Sequence, residues 1–374
     1  MPLRALARVN LAAIERNAAR LQAACDGAML CAVVKADGYG HGASESARAA
    51  LGGGATWLAV ATAREAAELR ADEITAPILV MGAISAEELP LALDARADVV
   101  AWSEEFVDAL AAAPSRAGVV RVHVKLDSGM GRLGTRDREH ALHVARHVLE
   151  RAPATALTGA MTHFATADED LEFVRAQLGL FRPFAEEMRT LAPEIVVHAA
   201  NSAATLTEHA SHFDMVRCGI AIYGCDPMNR DPDTYGLEPA LELSSYVAAL
   251  KRARPGESAG YGRRFIAERE TWIATVPIGY ADGINRGLTN NCDVLISGRR
   301  HPLVGTVSMD NITVDLGPAP ATRVGERVTI IGRDGLERQT AEELARRLGT
   351  INYEILCGIS KRVPRAYHRD GDPL

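Results

Sequence analysis

Five stretches of this 374-residue chain carry side chains that could do covalent or anion-binding chemistry. Lys35 closes an apolar run in AVVKADGYGHG, Arg132 follows one in VHVKLDSGMGRLG, and His163 ends one in GAMTHFA. Asn201 and Ser202 follow Ile195–Ala200, and Arg217 sits inside MVRCGIAIYG. Taken singly, most have an ordinary explanation. A lysine at the end of an apolar segment snorkels to water. A lone histidine is usually a hydrogen-bonded core residue, and Asn-Ser is a common helix N-cap pair. Arg217 is harder to dismiss, because a guanidinium within an apolar strand needs an anion or a set of acceptors. Lysine is also the residue that forms a reversible imine with a carbonyl compound.

The elements that must position these groups read as strands and helices in alternation. Eight short apolar runs, at Met29–Val34, Trp57–Ala61, Pro77–Met81, Ala97–Ala101, Val119–Leu126, Leu157–Thr162, Ile195–Ala200 and Met215–Tyr223, are bounded by Gly, Pro or charged residues. That pattern favours strand over helix. Ala/Leu/Glu/Arg-rich segments such as Leu11–Ala24, Ala63–Arg70, Glu139–Leu149 and Leu171–Leu191 lie between them and read as helices. The spacing of about 27 residues per unit fits a compact (β/α)8 barrel better than a doubly wound sheet, whose GxGxxG fingerprint is absent; Gly38, Gly40 and Gly42 are spaced GxGxG. Beyond the Pro- and Asp-rich stretch Asp226–Pro239 the texture changes. Period-2 segments at Leu241–Leu250, Thr271–Val276, Asp293–Ile296, Pro302–Val307, Ile312–Leu316 and Arg327–Ile331, with one helical run at Ala341–Leu348, predict a second, mostly β domain. The expected fold class is therefore α/β, an N-terminal (β/α)8 barrel over residues 1–230 and a C-terminal mostly β domain over 231–374.

In a barrel the C-terminal ends of the strands carry function, and the loops after strands seven and eight often bind phosphate. All five polar groups fall at or near such ends. Asn201–Ser202 would open a helix after strand seven, and Gly219–Ile220 follow strand eight with a glycine that permits close approach. A lysine at the first strand end together with a phosphate cup at the seventh and eighth points to pyridoxal 5'-phosphate held as a lysine Schiff base.

Composition excludes several other classes. With 41 Lys+Arg against 48 Asp+Glu the net charge is −7, which offers nothing for nucleic-acid binding. Hydrophobic residues make up 48 % and charged residues 24 %, too apolar for disorder and ordinary for a globular protein. The N-terminus lacks the layout of a signal peptide, and no apolar run reaches the length of a membrane span. The six cysteines include no CxxC pair and read as scattered reduced thiols in a cytoplasmic protein, with no metal site.

The motifs AVVKADGYGHG, VKLDSGMGRLG, THFATADED, VRCGIAIYG, SAGYG, PIGYADG, VGTVSMDN and INYEI resemble, in that order and over nearly the whole chain, those of bacterial alanine racemase. The resemblance implies a pyridoxal-phosphate isomerase that interconverts L- and D-alanine, supplies D-alanine for peptidoglycan, and works as a head-to-tail homodimer with shared sites. It implies that Lys35 is the Schiff-base lysine and one of two catalytic bases, and that Tyr261 in SAGYG is the other, reaching the opposite subunit. A tyrosine serves as a base only where cationic groups favour its phenolate. By the same resemblance Arg132 meets the substrate carboxylate and the cofactor's phenolic oxygen, and the backbone N–H of Met309 also holds that carboxylate. Tyr39, Ser202, Gly219, Ile220 and Tyr353 correspond to phosphate contacts, with Asn201 beside them. Arg217 faces the pyridine nitrogen, His163 hydrogen-bonds Arg217, and Lys125 matches a lysine carbamylated in some members. Two positions depart from the pattern: KADGYGHG stands where many members read KANAYGHG, and Thr306 stands where many carry arginine.

Competing functions remain on the same residues. A non-catalytic pyridoxal-phosphate carrier would need Lys35 and the phosphate loops but neither the β domain nor Tyr261. A decarboxylase of basic amino acids would call for a carboxylate at the place of Arg217. A racemase of another small amino acid such as serine differs by one hydroxymethyl against one methyl, which apolar contacts discriminate poorly.

Overall fold

The computed structural model describes residues 3–113 and 118–373 and divides into two units. One is Ile14–Ile222; the other joins the residues up to Ala13 with those from Tyr223 onward.

Strand β1 (Leu6–Asn10) precedes a closed barrel of eight parallel strands. These are β2 (Met29–Val33), β3 (Trp57–Val60), β4 (Ile78–Val80), β5 (Asp98–Ala101), β6 (Val120–Lys125), β7 (Thr155–Met161), β8 (Val196–His198) and β9 (Met215–Cys218). Closure is made by β9 on β2, with Met29 opposite Met215 and Ala32 opposite Cys218. Each expected apolar run overlaps one of these strands. They read as continuous apolar runs because barrel strands are buried on both faces: Ile78, Leu79 and Val80 are all fully buried. The eighth run ends early, its last residues Ile220–Tyr223 forming a 3-10 turn.

Helix termini between the strands are capped by side chains. Thr62 and Glu65 form a reciprocal capping box at the start of the helix Ala63–Ala71. Asp170 accepts the first N–H groups of Leu171–Leu191 (2.9 Å to Glu172, 3.1 Å to Phe173), and that helix buries Val174, Leu178, Phe181, Phe184, Ala185 and Met188 along one stripe.

The second unit is built on an eleven-stranded sheet. Its strands are β1 with β10 (Leu241–Tyr246), β11 (Ala249–Ala253), β14 (Thr271–Val276), β15 (Cys292–Ile296), β16 (Arg299–Leu303), β17 (Ile312–Asp315), β18 (Arg327–Asp334), β19 (Glu337–Gln339), β20 (Arg365–Arg369) and β21 (Asp372–Pro373). The order is β11-β14-β17-β16-β15-β18-β10-β1-β20-β21, with β19 beside β18; a separate hairpin pairs β12 (Ser258–Ala259) with β13 (Phe265–Ile266). The helix Ala341–Leu348 matches its expected bounds.

Three differences from expectation have local causes. Residues 6–10 belong to this sheet and not to a barrel unit running 1–230, because β1 pairs antiparallel with β10 and parallel with β20. Leu241–Leu250 is two strands, since Val247 and Ala248 turn away to bond Glu326 and Thr275. The segment expected at Pro302–Val307 begins earlier, at Arg299, where two arginines and a histidine mask the strand pattern.

Candidate active site

Lys35 stands two residues beyond the end of the first barrel strand, where the chain makes a left-handed turn. Ala36, Asp37, Gly38 and Tyr39 all have positive φ (52°, 54°, 60° and 52°), followed by Gly40 at 82°. Each non-glycine residue in that region costs about 1–2 kcal/mol, so the turn needs specific support. Glu65 supplies it: one oxygen accepts from Ala36 N–H at 2.7 Å while the other holds Ala61 and Thr62 (2.8 and 3.0 Å). Asp37 accepts from Ala43 N–H at 3.0 Å, and buried His41 turns Nδ1 to the carbonyls of Gly38 and Tyr39. The turn carries the buried Tyr39 phenol directly over Gly219: a Cβ added there would lie 2.4 Å from the phenolic oxygen. Gly219 is required for that approach.

Ser202 completes the cup. Its hydroxyl oxygen accepts from Gly219 N–H at 2.9 Å, and Ile220 beside it is fully buried. Asn201 is the N-cap of the short helix Ser202–Thr207, its side chain accepting from Ala204 N–H at 3.0 Å. The ordinary reading of Asn201 is thus its observed role.

Lys125 and Arg132 flank a second loop. Asp127 accepts from the N–H groups of Gly129 (3.1 Å) and Gly131 (3.0 Å), folding the Ser-Gly-Met-Gly turn. Burial opposes ionisation of Asp127, but these backbone donors and Arg136 hold it below the usual carboxylate range. The turn leaves Arg132 exposed, with no hydrogen bond or ion pair among the described residues. Buried Gln177 ties this loop to the next, donating to Ser128 Oγ and the His163 carbonyl and accepting from Ala165 N–H.

Arg217 is buried at 3 % exposure. Nη1 donates to His198 Nδ1 (2.7 Å), and Nη2 reaches the carbonyls of Thr162 (2.8 Å) and Ala199 (3.0 Å) and His163 Nδ1 (3.1 Å). Burial pulls its pKa down to about 10, so it remains a cation at neutral pH. None of these partners is a carboxylate, and the Nε–H has no acceptor among the described residues. His163 is held well below the ordinary imidazole value, first by burial and then by the charges of Arg217, Lys125, Arg132 and Lys35. Four cations around one imidazole, with a carboxylate already committed to its own loop, make a region suited to an anion.

The remaining expected site residues lie in the other unit. Tyr261 follows Gly260 and is 75 % exposed, Met309 is 51 % exposed, and half-buried Tyr353 lies in the helix Asn352–Cys357. Thr306 donates its hydroxyl to the Tyr261 carbonyl at 2.6 Å. Met309 is held through its carbonyl, which accepts from Ala281 N–H at 3.0 Å. A cleft of about 330 Å³ beside Tyr261 is lined by Gly260, Thr306, Ser308, Asn311 and Thr313.

Sequence reasoning missed Glu65 and Gln177, which act through bonds to loops far along the chain. It also missed His198, although a single histidine ending an apolar strand was a usable signal.

Comparison with known proteins adds the family. The family model described as alanine racemase, N-terminal domain, matches residues 9–227, and that for the C-terminal domain matches residues 240–367. An alanine racemase of Thermobifida fusca is 43 % identical over 371 residues, 96 % of this chain and 97 % of that one. One of Frankia casuarinae is 41 % identical over 372 residues, 98 % of this chain and 96 % of that one. The crystal structure of alanine racemase from Bacillus anthracis with bound L-Ala-P superposes with a TM-score of 0.92 at 39 % identity, covering 100 % of this chain and 97 % of that one.

Proposed function

The chain belongs to the alanine racemase family, and on that premise we propose that it interconverts L-alanine and D-alanine with pyridoxal 5'-phosphate. The observation that carries this reading is the buried Arg217 guanidinium, held by neutral acceptors with its Nε–H unspent. Such a group fits an aromatic nitrogen acceptor, and the Tyr39–Ser202–Gly219 cup fits a phosphate.

Bound at Lys35, the cofactor supplies an electron sink that acidifies the substrate Cα–H. Lys35 takes and returns the proton on one face of Cα, and Tyr261 of the partner subunit does so on the other. Arg132 and the backbone N–H of Met309 of the partner subunit bind the substrate carboxylate, and Tyr353 joins the phosphate contacts. Arg217 would donate a hydrogen bond to the ring nitrogen of the bound cofactor while keeping its own proton, which would moderate the electron demand the cofactor supplies and so disfavour transamination.

This arrangement calls for a homodimer, a reading supported by Tyr261 and Met309, large side chains left on the surface of a single chain. We place the enzyme in the cytoplasm, forming D-alanine for peptidoglycan. Among the described residues no helix is long and apolar enough to cross a membrane.

The direct test follows optical rotation from pure L-alanine and from pure D-alanine with added cofactor. Both should decay to zero, because enantiomers have equal free energy. Unchanged rotation in protein shown to hold the cofactor would overturn the reading. Apolar contacts discriminate a methyl from a hydroxymethyl poorly, so L-serine belongs in the same assay.

Lys125 offers a second test. Burial, then the charges of Arg217 and Arg132, lower its pKa to about 8 against the opposing effect of Asp127. At pH 7 about 10 % is then free amine, against about 0.04 % for an ordinary lysine. The amine adds to carbon dioxide, giving a carbamate and one proton, and the anion formed would pair with Arg132. With ¹³C-labelled carbon dioxide held constant, a carbamate resonance should grow from pH 6 to 8.5 and vanish in Lys125→Gln. Its absence at pH 8.5 would leave Lys125 unmodified.

A further inference from the structure

Behind Arg217 a line of buried polar groups crosses the interior of the barrel. His198 Nε2 lies 2.8 Å from His123 Nδ1, and His123 Nε2 lies 3.3 Å from Asp98 Oδ2. Asp98, His123 and His198 are all fully buried. Asp98 opens β5, His123 sits in β6 and His198 ends β8, so three separate strands contribute. The backbone makes room for the relay: a Cβ on Gly159, the neighbour of His123 across the β6–β7 ladder, would fall 2.1 Å from His123 Nδ1.

The proton positions along this line follow from its ends. Arg217 can only donate, so His198 Nδ1 accepts and the proton of His198 lies on Nε2. His123 Nδ1 must then accept, and its own proton on Nε2 points at the Asp98 carboxylate. Every bond runs one way, from guanidinium to carboxylate through two neutral imidazoles. His198 suits the neutral state, since burial and then the charges of Arg217 and Lys125 hold its pKa well below the ordinary value. Burial would push Asp98 up, but His123 and Arg121 outweigh it and keep the carboxyl ionised. Arg121 pairs with the other oxygen, Oδ1, its Nε at 2.7 Å.

We propose that Asp98, acting through His123 and His198, is a positioning residue that fixes the direction of these hydrogen bonds and so locks Arg217 in place. Arg217 has no carboxylate among its own partners and is flanked by Lys125, and Asp98 is the negative end of its hydrogen-bond chain. The inference rests on the role of Arg217 at the cofactor ring proposed above.

Asp98→Asn separates charge and direction from shape. The amide oxygen will face the Arg121 guanidinium, whose Nε and Nη2 lie 2.7 and 2.6 Å from Oδ1, which turns the amide N–H₂ toward His123. His123 must then accept on Nε2 and donate from Nδ1, His198 must follow, and its Nδ1–H meets Arg217 donor to donor. Reversing an imidazole tautomer in this manner, with the geometry otherwise kept, is known to disable a catalytic histidine.

The experiment is nitrogen NMR of ¹⁵N-histidine-labelled, cofactor-free protein, with signals assigned through His123→Gln and His198→Gln. In the wild type both rings should carry the proton on Nε2; in Asp98→Asn both should carry it on Nδ1, and Asp98→Glu should restore Nε2. In the loaded enzyme Asp98→Asn should lower racemisation about tenfold or more and raise the pyruvate formed per alanine racemised. A wild-type ring protonated on Nδ1 overturns the proposal without any variant having to fold. So does an Asp98→Asn protein with unchanged tautomers, or with inverted tautomers and an unchanged pyruvate ratio. If wild-type protein holds the cofactor but leaves alanine unchanged, the racemase reading fails, while the tautomers of the cofactor-free protein still decide the relay.

Discussion

Tyr261→Phe should slow racemisation by about 10²–10⁴-fold, the usual contribution of one acid–base group, and by the same factor in both directions. The equality is imposed by thermodynamics. L- and D-alanine have equal free energies, so the ratio of forward to reverse kcat/KM is one in every variant, whichever base is lost. The asymmetry appears in isotope exchange instead. With Lys35 intact, the proton on one face of Cα can still leave and return. In deuterated water the variant should therefore place deuterium into one enantiomer without inverting it and leave the other unlabelled. Mass spectrometry of each enantiomer after separation reads this directly. Exchange into both enantiomers, or racemisation at the wild-type rate, would remove Tyr261 from its assigned role. Thr306 holds the Tyr261 backbone by a 2.6 Å hydrogen bond that does not involve the phenol, so the substitution leaves the main chain anchored.

Mixing two inactive variants should restore about one quarter of wild-type activity if sites are shared across a twofold dimer. Lys35→Ala lacks the lysine in its own barrel, and Tyr261→Phe lacks the tyrosine it would lend to a partner. In a mixed dimer one site carries both defects. The other joins an intact Lys35 to an intact Tyr261. Random reassociation makes about half the dimers mixed, each with one good site in two, which gives the one-quarter figure. Lys35 lies in the unit Ile14–Ile222 and Tyr261 in the other, so complementation tests whether one active site draws these two residues from different chains. No recovery, in a mixture shown by differently tagged chains to have exchanged subunits, would mean that each site is built within one chain.

The pairing of Lys35 with the left-handed turn after it bears on both experiments. Ala36, Asp37 and Tyr39 occupy conformations that ordinary residues avoid, and the turn persists because Glu65, Asp37 and His41 satisfy its backbone groups. Lys35→Ala keeps all of those bonds, since none uses the lysine side chain. Loss of activity in that variant therefore reports the missing amine and not a collapsed turn.

Much of this molecule was legible before folding. The eight barrel strands are short runs buried on both faces, and burial on both faces writes an uninterrupted apolar segment into the sequence. Lys35, His163, Asn201, Ser202 and Arg217 stood out because a polar side chain at such a strand or its end contradicts its surroundings. What spacing could not express were partners distant along the chain. Leu6–Asn10 is a five-residue alternating segment whose neighbours are β10 and β20, more than two hundred residues later, and a strand that short declares no sheet of its own. Glu65 reads as an exposed helix residue completing a capping box, and only the fold brings its second oxygen to Ala36. Asp98, His123 and His198 each look like an isolated polar residue in a different strand, and barrel closure alone aligns them into one directed line of hydrogen bonds ending at Arg217. Element types and available chemistry can be read along the chain, because periodicity and residue type are local properties. Which groups hold which emerges only on folding, because hydrogen bonds and buried charges are satisfied by neighbours in space.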